Sequence, residues 1–230
     1  MKEGDFILMD FVGKVLNTGE IFDLTREDVA KDSKVHFEEK NYEPVLVIVG
    51  AKMVVSGIEK QLLAMKVGET KKFTVPYAEA FGRRDPRLIR VIPFNKFMEQ
   101  NINPAPGVFV TIDNMTAKVQ SVSGGRVRVD FNNPLAGKDL EYEITVVKQI
   151  TENKEKADLL LENSGIEAET ELKEDVFEIK TKTKLNPMIE KMTSETIKKW
   201  IKDVKNINFS VSDAKKQEIK ETEGSKRSSH

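Results

Sequence analysis

The sequence predicts an α+β fold built from several modest units, and three observations carry that reading. Short β-rich runs fill the first 150 positions, with one short helical stretch among them. After position 150 an amphipathic helix pattern and a strand pattern alternate. The charge density also changes there, with 33 charged residues in the last 80 against 42 in the first 150. A hydrophobic fraction of 39% supplies packed cores but is low for one large sphere, so several small domains fit better.

The upstream strands are expected at Phe6 to Val12, Val45 to Val49, Thr70 to Val75, Phe109 to Ile112, Ala117 to Val122, Val127 to Phe131 and Tyr142 to Val147. Ser123-Gly124-Gly125 between two of them reads as a hairpin, because glycine accepts the positive φ of tight turns. The single helix is Gly57 to Met65, with Ile58, Leu62 and Met65 at i, i+4 and i+7 and Gly68 marking its end. Two turns are marginal alone, so a sheet must pack across its apolar face.

Downstream, Thr151 to Glu162 reads as a helix. Phe177, Ile179, Thr181, Thr183 and Leu185 then alternate with charged residues, the period of a half-buried strand. Asn186 caps a second helix and Pro187 suits its first turn. Ile189, Met192, Ile197, Trp200, Ile201 and Val204 mark one face of that helix, and Ile207, Phe209 and Val211 form a last short strand. Only three of the chain's aromatics, Phe177, Trp200 and Phe209, lie in this piece. Small domains short of large residues complete their cores by association, so residues 151–213 are expected to form a homodimer. The polar tail from about 214 is set aside.

Composition removes several function classes. The 37 basic and 38 acidic residues leave a net charge of -1, so no basic field exists to grip nucleic acid or anionic lipid. There is no cysteine, which excludes thiol nucleophiles, disulfides and cysteine metal sites, and suits a reducing interior. The two histidines, His36 and His230, cannot build a His-rich metal site; His36 sits in a polar loop and is given no catalytic role. No cofactor or metal is expected. No run approaches the roughly 18 apolar residues of a membrane span, and a cytoplasmic protein without membrane attachment is expected.

Five segments point to a function. Val54-Val55-Ser56-Gly57-Ile58-Glu59, followed by Leu63, Met65 and Val67-Gly68-Glu69, is the most informative. Asp10-Phe11-Val12-Gly13, Gly19-Glu20-Ile21-Phe22-Asp23, Ala80-Phe81-Gly82, and Asn133-Pro134-Leu135-Ala136-Gly137-Lys138 with Leu140-Glu141-Tyr142 accompany it in order. In these the chain resembles the FKBP-type peptidyl-prolyl cis-trans isomerases. The resemblance implies an FKBP-like curved antiparallel sheet around a short helix, formed by residues 1–84 and 130–150. The stretch 85–129 resembles the insert-in-flap domain of the SlyD-like subgroup, which binds unfolded chains. The C-terminal αβ domain, 151–230, is similar to that of the long archaeal members.

By the same resemblance, Phe11, Asp23, Ile58, Phe81 and Tyr142 are the catalytic residues, and Phe22, Val45, Val54 and Val55 complete the prolyl pocket. Ile58 forms its floor where many relatives place tryptophan, and Phe11 and Phe81 stand where relatives commonly carry tyrosine. The implied activity is isomerisation of X-Pro bonds in unfolded or nascent polypeptides. Ile92, Phe94, Phe97, Met98 and Phe109 crowd an insert too small to bury them all, and are expected to present a client-binding surface. The alternative reading is a non-catalytic holdase on the same scaffold. SlyD-like proteins often end in a metal-binding tail rich in His and Cys, which is missing here, so metal binding is not carried over.

Overall fold

A computed structural model describes residues 1–212; the expected tail, with His230, lies outside the described residues. In chain order the elements begin with β1 (Phe6–Val15), β2 (Ile21–Leu24), α1 (Glu27–Asp32), β3 (Val45–Ile48), α2 (Ser56–Ala64) and β4 (Thr70–Val75). Next come β5 (Ile89–Pro93), α3 (Phe94–Glu99), β6 (Phe109–Ile112), β7 (Met115–Ser123), β8 (Arg126–Asp130) and β9 (Leu140–Ile150). The chain closes with α4 (Asn153–Asn163), β10 (Ala168–Lys173), β11 (Val176–Thr181), α5 (Pro187–Trp200) and β12 (Asn206–Val211). The class is α+β. No helix among the described residues is long and apolar enough to cross a membrane.

Two compact units divide the described residues: Met1–Met9, Pro44–Met53 and the described residues from Val146 onward form one, and Asp10–Glu43 with Val54–Thr145 forms the other. In the first unit Phe6 to Met9 pair antiparallel with β3. Phe6, Leu46 and Ile48 share a buried core with Ile150, with Leu160 and Leu161 of α4, with Phe177 and Ile179 of β11, and with Ile197 and Ile201. The shortage of large residues after position 150 is thus met from the N-terminal strands. α5 is capped as expected: Asn186 Oδ1 accepts the Met188 N–H at 2.9 Å. Its apolar residues do not all face one core, for Ile197 is buried while Met188, Ile189 and Met192 are exposed. β10 and β11 pair antiparallel, and β12 runs parallel to β11.

In the second unit β1 pairs with β2 and β4 with β9, within a sheet ordered β2-β1-β9-β4. α2 buries Ile58 and Leu62. It ends at Ala64, because Met65 is already extended; Gly68 belongs instead to the turn closed by the Glu69 N–H on the Lys66 carbonyl. A second sheet, β5-β8-β7-β6, has its own core of Phe97, Val110, Ile112, Ala117, Val119, Val127 and Val129. The β7–β8 hairpin turns on Gly124 and Gly125, both at positive φ as expected.

The expectation of one upstream helix is corrected by α1 and α3. Each is six residues long and buries one side chain, Ala30 and Phe97 respectively, too little to give a helical period in sequence. β2, β5 and β10 are likewise additions, four to six residues long. The strand expected through Leu185 stops at Thr181, where the Thr181 hydroxyl donates to the Thr183 carbonyl at 2.8 Å and the chain turns away.

Candidate functional site

Tyr142 is the third residue of β9 and sits opposite Phe73 of β4 in the ladder. Their rings stack at 6.4 Å and 26°. Phe22 of β2 meets Tyr142 edge-on at 5.7 Å and 84°, and Phe11 of β1 lies 6.4 Å away, tilted by 52°. These are favourable aromatic geometries. One backbone position makes them possible: Gly13 pairs with Asp23 across β1 and β2, and a Cβ there would stand 2.5 Å from the Phe22 ring. Only glycine lets that ring lie across β1.

The cluster is apolar with a polar edge. Burial, with the Asp23 carboxylate as a smaller contributor, pushes the Tyr142 phenol up to about 12. Its hydroxyl has no hydrogen-bond partner among the described residues. Asp23 is exposed; its Oδ1 accepts the Leu24 N–H at 2.9 Å and the Lys40 ammonium at 2.7 Å. The carboxylate is therefore held in one orientation, on the strand residue next to Phe22.

The structure places Phe11, Phe22, Asp23 and Tyr142 together. Val54 and Val55 are half-buried just ahead of α2, Ile58 is buried within it, and Phe81 is exposed after the short 3-10 turn Tyr77–Glu79; all belong to the same unit. Val45 is an exposed residue of the other unit, paired with Met9. Sequence reading missed Phe73, whose signal was present in the alternation of Thr70 to Val75, and Lys40, which has no local signal because its partner is 17 residues away. His36 lies in the same loop, stacked on Tyr42 at 5.2 Å and 3.1 Å from Glu27. No group of three or more His, Cys, Asp and Glu arranged to hold a metal occurs among the described residues.

In the unit formed by α3 and the β5–β8 sheet, Met98 of α3 and Phe109 of β6 are 53% and 52% exposed, and Ile92 of β5 and Phe94 of α3 are half-buried against the core. Phe97 is corrected. It is fully buried, contributes about 2–3 kcal/mol of core burial, and offers no surface to a client. Val91 and Val108 add exposed apolar surface that sequence reading did not assign, since nothing in a β-rich run says which face the core takes.

The chain segments entering and leaving this sheet meet at a buried carboxylate at the end of β8. Asp130, 4% exposed, accepts hydrogen bonds from the Asn132 N–H at 2.9 Å, Asn132 Nδ2 at 2.7 Å and Gln120 Nε2 at 3.1 Å, and pairs with Arg84. Asn132 in turn accepts the Asp85 N–H at 2.8 Å and donates to the Asp85 carbonyl at 3.0 Å.

The family described as "FKBP26, IF domain" matches residues 90–135. The chain is 36% identical over 146 residues to the short-type peptidyl-prolyl cis-trans isomerase of Methanocaldococcus jannaschii, covering 64% of this chain and 92% of that protein. It is 32% identical over 108 residues to the FKBP-type peptidyl-prolyl cis-trans isomerase SlyD of Helicobacter pylori, covering 46% of this chain and 58% of that one. Similarity to the FKBP-type 16 kDa peptidyl-prolyl cis-trans isomerase of Escherichia coli is 32% over 113 residues, 47% and 75% of the two chains.

Proposed function

Because the chain belongs to the FKBP-type peptidyl-prolyl cis-trans isomerases and is an enzyme of that class, we propose that its prolyl site is the pocket around Phe11, Phe22 and Tyr142, with Asp23 at its edge. The observation that carries this reading is the ring cluster centred on Tyr142 beside a fixed carboxylate. An X-Pro bond crosses a barrier of about 18–20 kcal/mol because rotation breaks amide resonance, and it isomerises unaided in roughly tens to hundreds of seconds. No covalent bond breaks, so a protein needs only to favour the twisted amide over the planar one. Twisting localises the nitrogen lone pair and leaves the amide less charge-separated. A dry aromatic pocket therefore favours the twisted form, while Asp23 orients it. Lowering the barrier by about 7 kcal/mol gives roughly 10⁵-fold acceleration.

Val54, Val55, Ile58 and Phe81, which lie in the same unit, complete the pocket in this reading, on an FKBP-like sheet and helix formed by residues 1–84 and 130–150; Val45, a residue of the other unit, is left out of it. Residues 85–129 are a client-binding insert working through Met98, Phe109, Ile92 and Phe94. The exposed apolar side chains of that sheet support this, since such patches mark binding surfaces. The partners are unfolded or nascent polypeptides containing proline, and the enzyme acts in the cytoplasm. The C-terminal αβ domain forms a homodimer through the exposed face of α5.

Refolding of a proline-limited protein tests the division of labour. The full chain accelerates it, and a version with the insert replaced by a short loop keeps its rate on a short peptide but loses most of its rate on the protein. Equal loss on both substrates would contradict a separate client-holding role.

A further inference from the structure

Residues 85–129 hold six basic side chains against three acidic ones, Asp85, Glu99 and Asp113, although the whole chain is balanced. A chain-wide sum near zero argues against nucleic acid; a local excess escapes that argument. Arg87 is paired with Asp85 at 2.7 Å and Lys96 with Glu99 at 2.8 Å, and Asp113 accepts from Gln100 Nε2 at 3.1 Å. Arg90, Lys118, Arg126 and Arg128 have no carboxylate partner among the described residues. Arg90 lies over the Phe131 ring at 5.5 Å and Lys118 over the Phe109 ring at 5.6 Å.

Three of these cations stand on one face of the inserted sheet, because cross-strand partners share a face. Arg128 sits opposite Val91 of β5 and Ser121 of β7, and Arg126 opposite Pro93 and Ser123. Lys118 pairs with Phe109 of β6 and with Asp130, two residues along β8 from Arg128, so it belongs to the same face. The opposite face is the core of Val119, Val127 and Val129. Both arginines, both serines, Lys118 and Phe109 are exposed. The one acidic residue within these four strands, Asp130, is buried and pairs with Arg84. Arg126 and Arg128 stand about 7 Å apart on one strand and repel each other without a local counter-charge, an arrangement that folding alone does not reward.

The chemistry of this face selects its partner. Guanidinium forks grip phosphate oxygens two at a time, serine hydroxyls add phosphate contacts, and an exposed ring accepts a stacked base. An acidic peptide is also drawn by the cations, but its carboxylates sit on flexible stems, whereas successive phosphates lie along a backbone that neighbouring arginines can follow. A duplex hides its bases from Phe109. We propose that this face of the inserted sheet holds a single strand of RNA, with phosphates on Arg126, Arg128 and Lys118 and a base stacked on Phe109. The site is independent of the prolyl pocket; RNA as its source rests on the reading of nascent polypeptides as clients, since these emerge where RNA is dense. An unfolded client, which the same reading brings to Phe109, competes with the strand.

Fluorescence anisotropy of a labelled twelve-nucleotide uridine oligomer, titrated with the full chain, reads the binding directly. Three phosphate contacts on a single strand give a slope of about −2 in log affinity against log salt, so affinity should fall roughly twentyfold between about 50 and 200 mM salt. Arg126→Ser with Arg128→Ser should weaken binding about tenfold at the lower salt and bring the slope to about −0.7, with the circular dichroism spectrum kept and the acceleration of a four-residue X-Pro peptide within about twofold of wild type. Phe109→Leu should weaken binding by about tenfold with the slope unchanged. No binding by wild type at low salt, or undiminished affinity in the double-arginine variant, would overturn the proposal. Twelve-residue polyglutamate displacing the oligomer at equal charge concentration would give the face to acidic polypeptides and overturn it as well. Failure of wild type to accelerate the short peptide would instead count against the prolyl site and leave the RNA measurement standing.

Discussion

Tyr142 carries a phenol at the centre of an otherwise hydrocarbon cluster, and its ionisation reports on that burial. The folded-state value, pushed up to about 12, lies above the ordinary 10 of an unfolded tyrosine. A raised value means that the contribution to stability is fully present below pH 10. It falls by about 1.4 kcal/mol per pH unit between 10 and 12, where only the unfolded chain loses the proton. Urea unfolding at pH 9 and pH 11 should therefore show a larger drop for wild type than for Tyr142→Phe; equal drops would show that the hydroxyl is not in the dry cluster. Gly13 tests the same site from the backbone side. Gly13→Ala places a methyl against the Phe22 ring and should cost about 1–3 kcal/mol of stability, with a fall in kcat/KM on a short X-Pro peptide. Unaltered stability and turnover would mean that Phe22 gives way freely and that its seat on β1 does not define the pocket. Of the site residues, the motif positions were readable because they recur in a fixed order along the chain. Lys40 was not, since the ion pair to Asp23 depends on where a loop folds back.

Among the elements, the β5–β8 sheet is joined to its flanking segments through a buried polar network at Asp130. Asp130 gathers both connecting segments through Asn132, Gln120 and Arg84. Asp130→Ala leaves those donors without their acceptor and should cost about 2–3 kcal/mol; Arg84, whose side chain is half-exposed, returns to water and limits the loss. Limited proteolysis should then cut faster at residues 84–88 and 130–133, and wild-type protection in the variant would show the joint held by packing alone. Legibility at this scale follows the strength of the periodic signal. Thr70–Val75 and Phe109–Ile112 matched to the residue because their flanks carry turn chemistry, and α2 shifted by one residue. β2 and β10 escaped because four residues hold too few alternations and because exposed Glu and Lys mask the apolar side of Ala168–Lys173. α3 looked like part of an exposed apolar cluster; its Phe97 is the insert's core, and composition cannot tell the two apart.

At the scale of the whole molecule, the charge-rich C-terminal region is completed from within. Phe6, Leu46 and Ile48 fill the core that residues 151–212 lack, so any association must come from surface rather than from an unfinished interior. Met188 and Met192 on α5 are 70% and 62% exposed, and the proposed homodimer would use that face. Sedimentation at micromolar concentration should give a dimer for wild type and a monomer for Met188→Glu with Met192→Glu; a monomeric wild type would remove the homodimer. The absence of cysteine and the scarcity of histidine, which excluded so much at the start, are no handicap to an enzyme that twists a bond without breaking one. The central claim is that this twisting occurs at the Tyr142 cluster. Its most direct test is exchange spectroscopy on a short X-Pro peptide with wild type, Phe22→Ala and Asp23→Ala, each confirmed folded by circular dichroism. Wild type should accelerate cis/trans exchange, with each substitution lowering the rate about tenfold or more. Exchange at the uncatalysed rate in wild type, or undiminished acceleration in both variants, would contradict it.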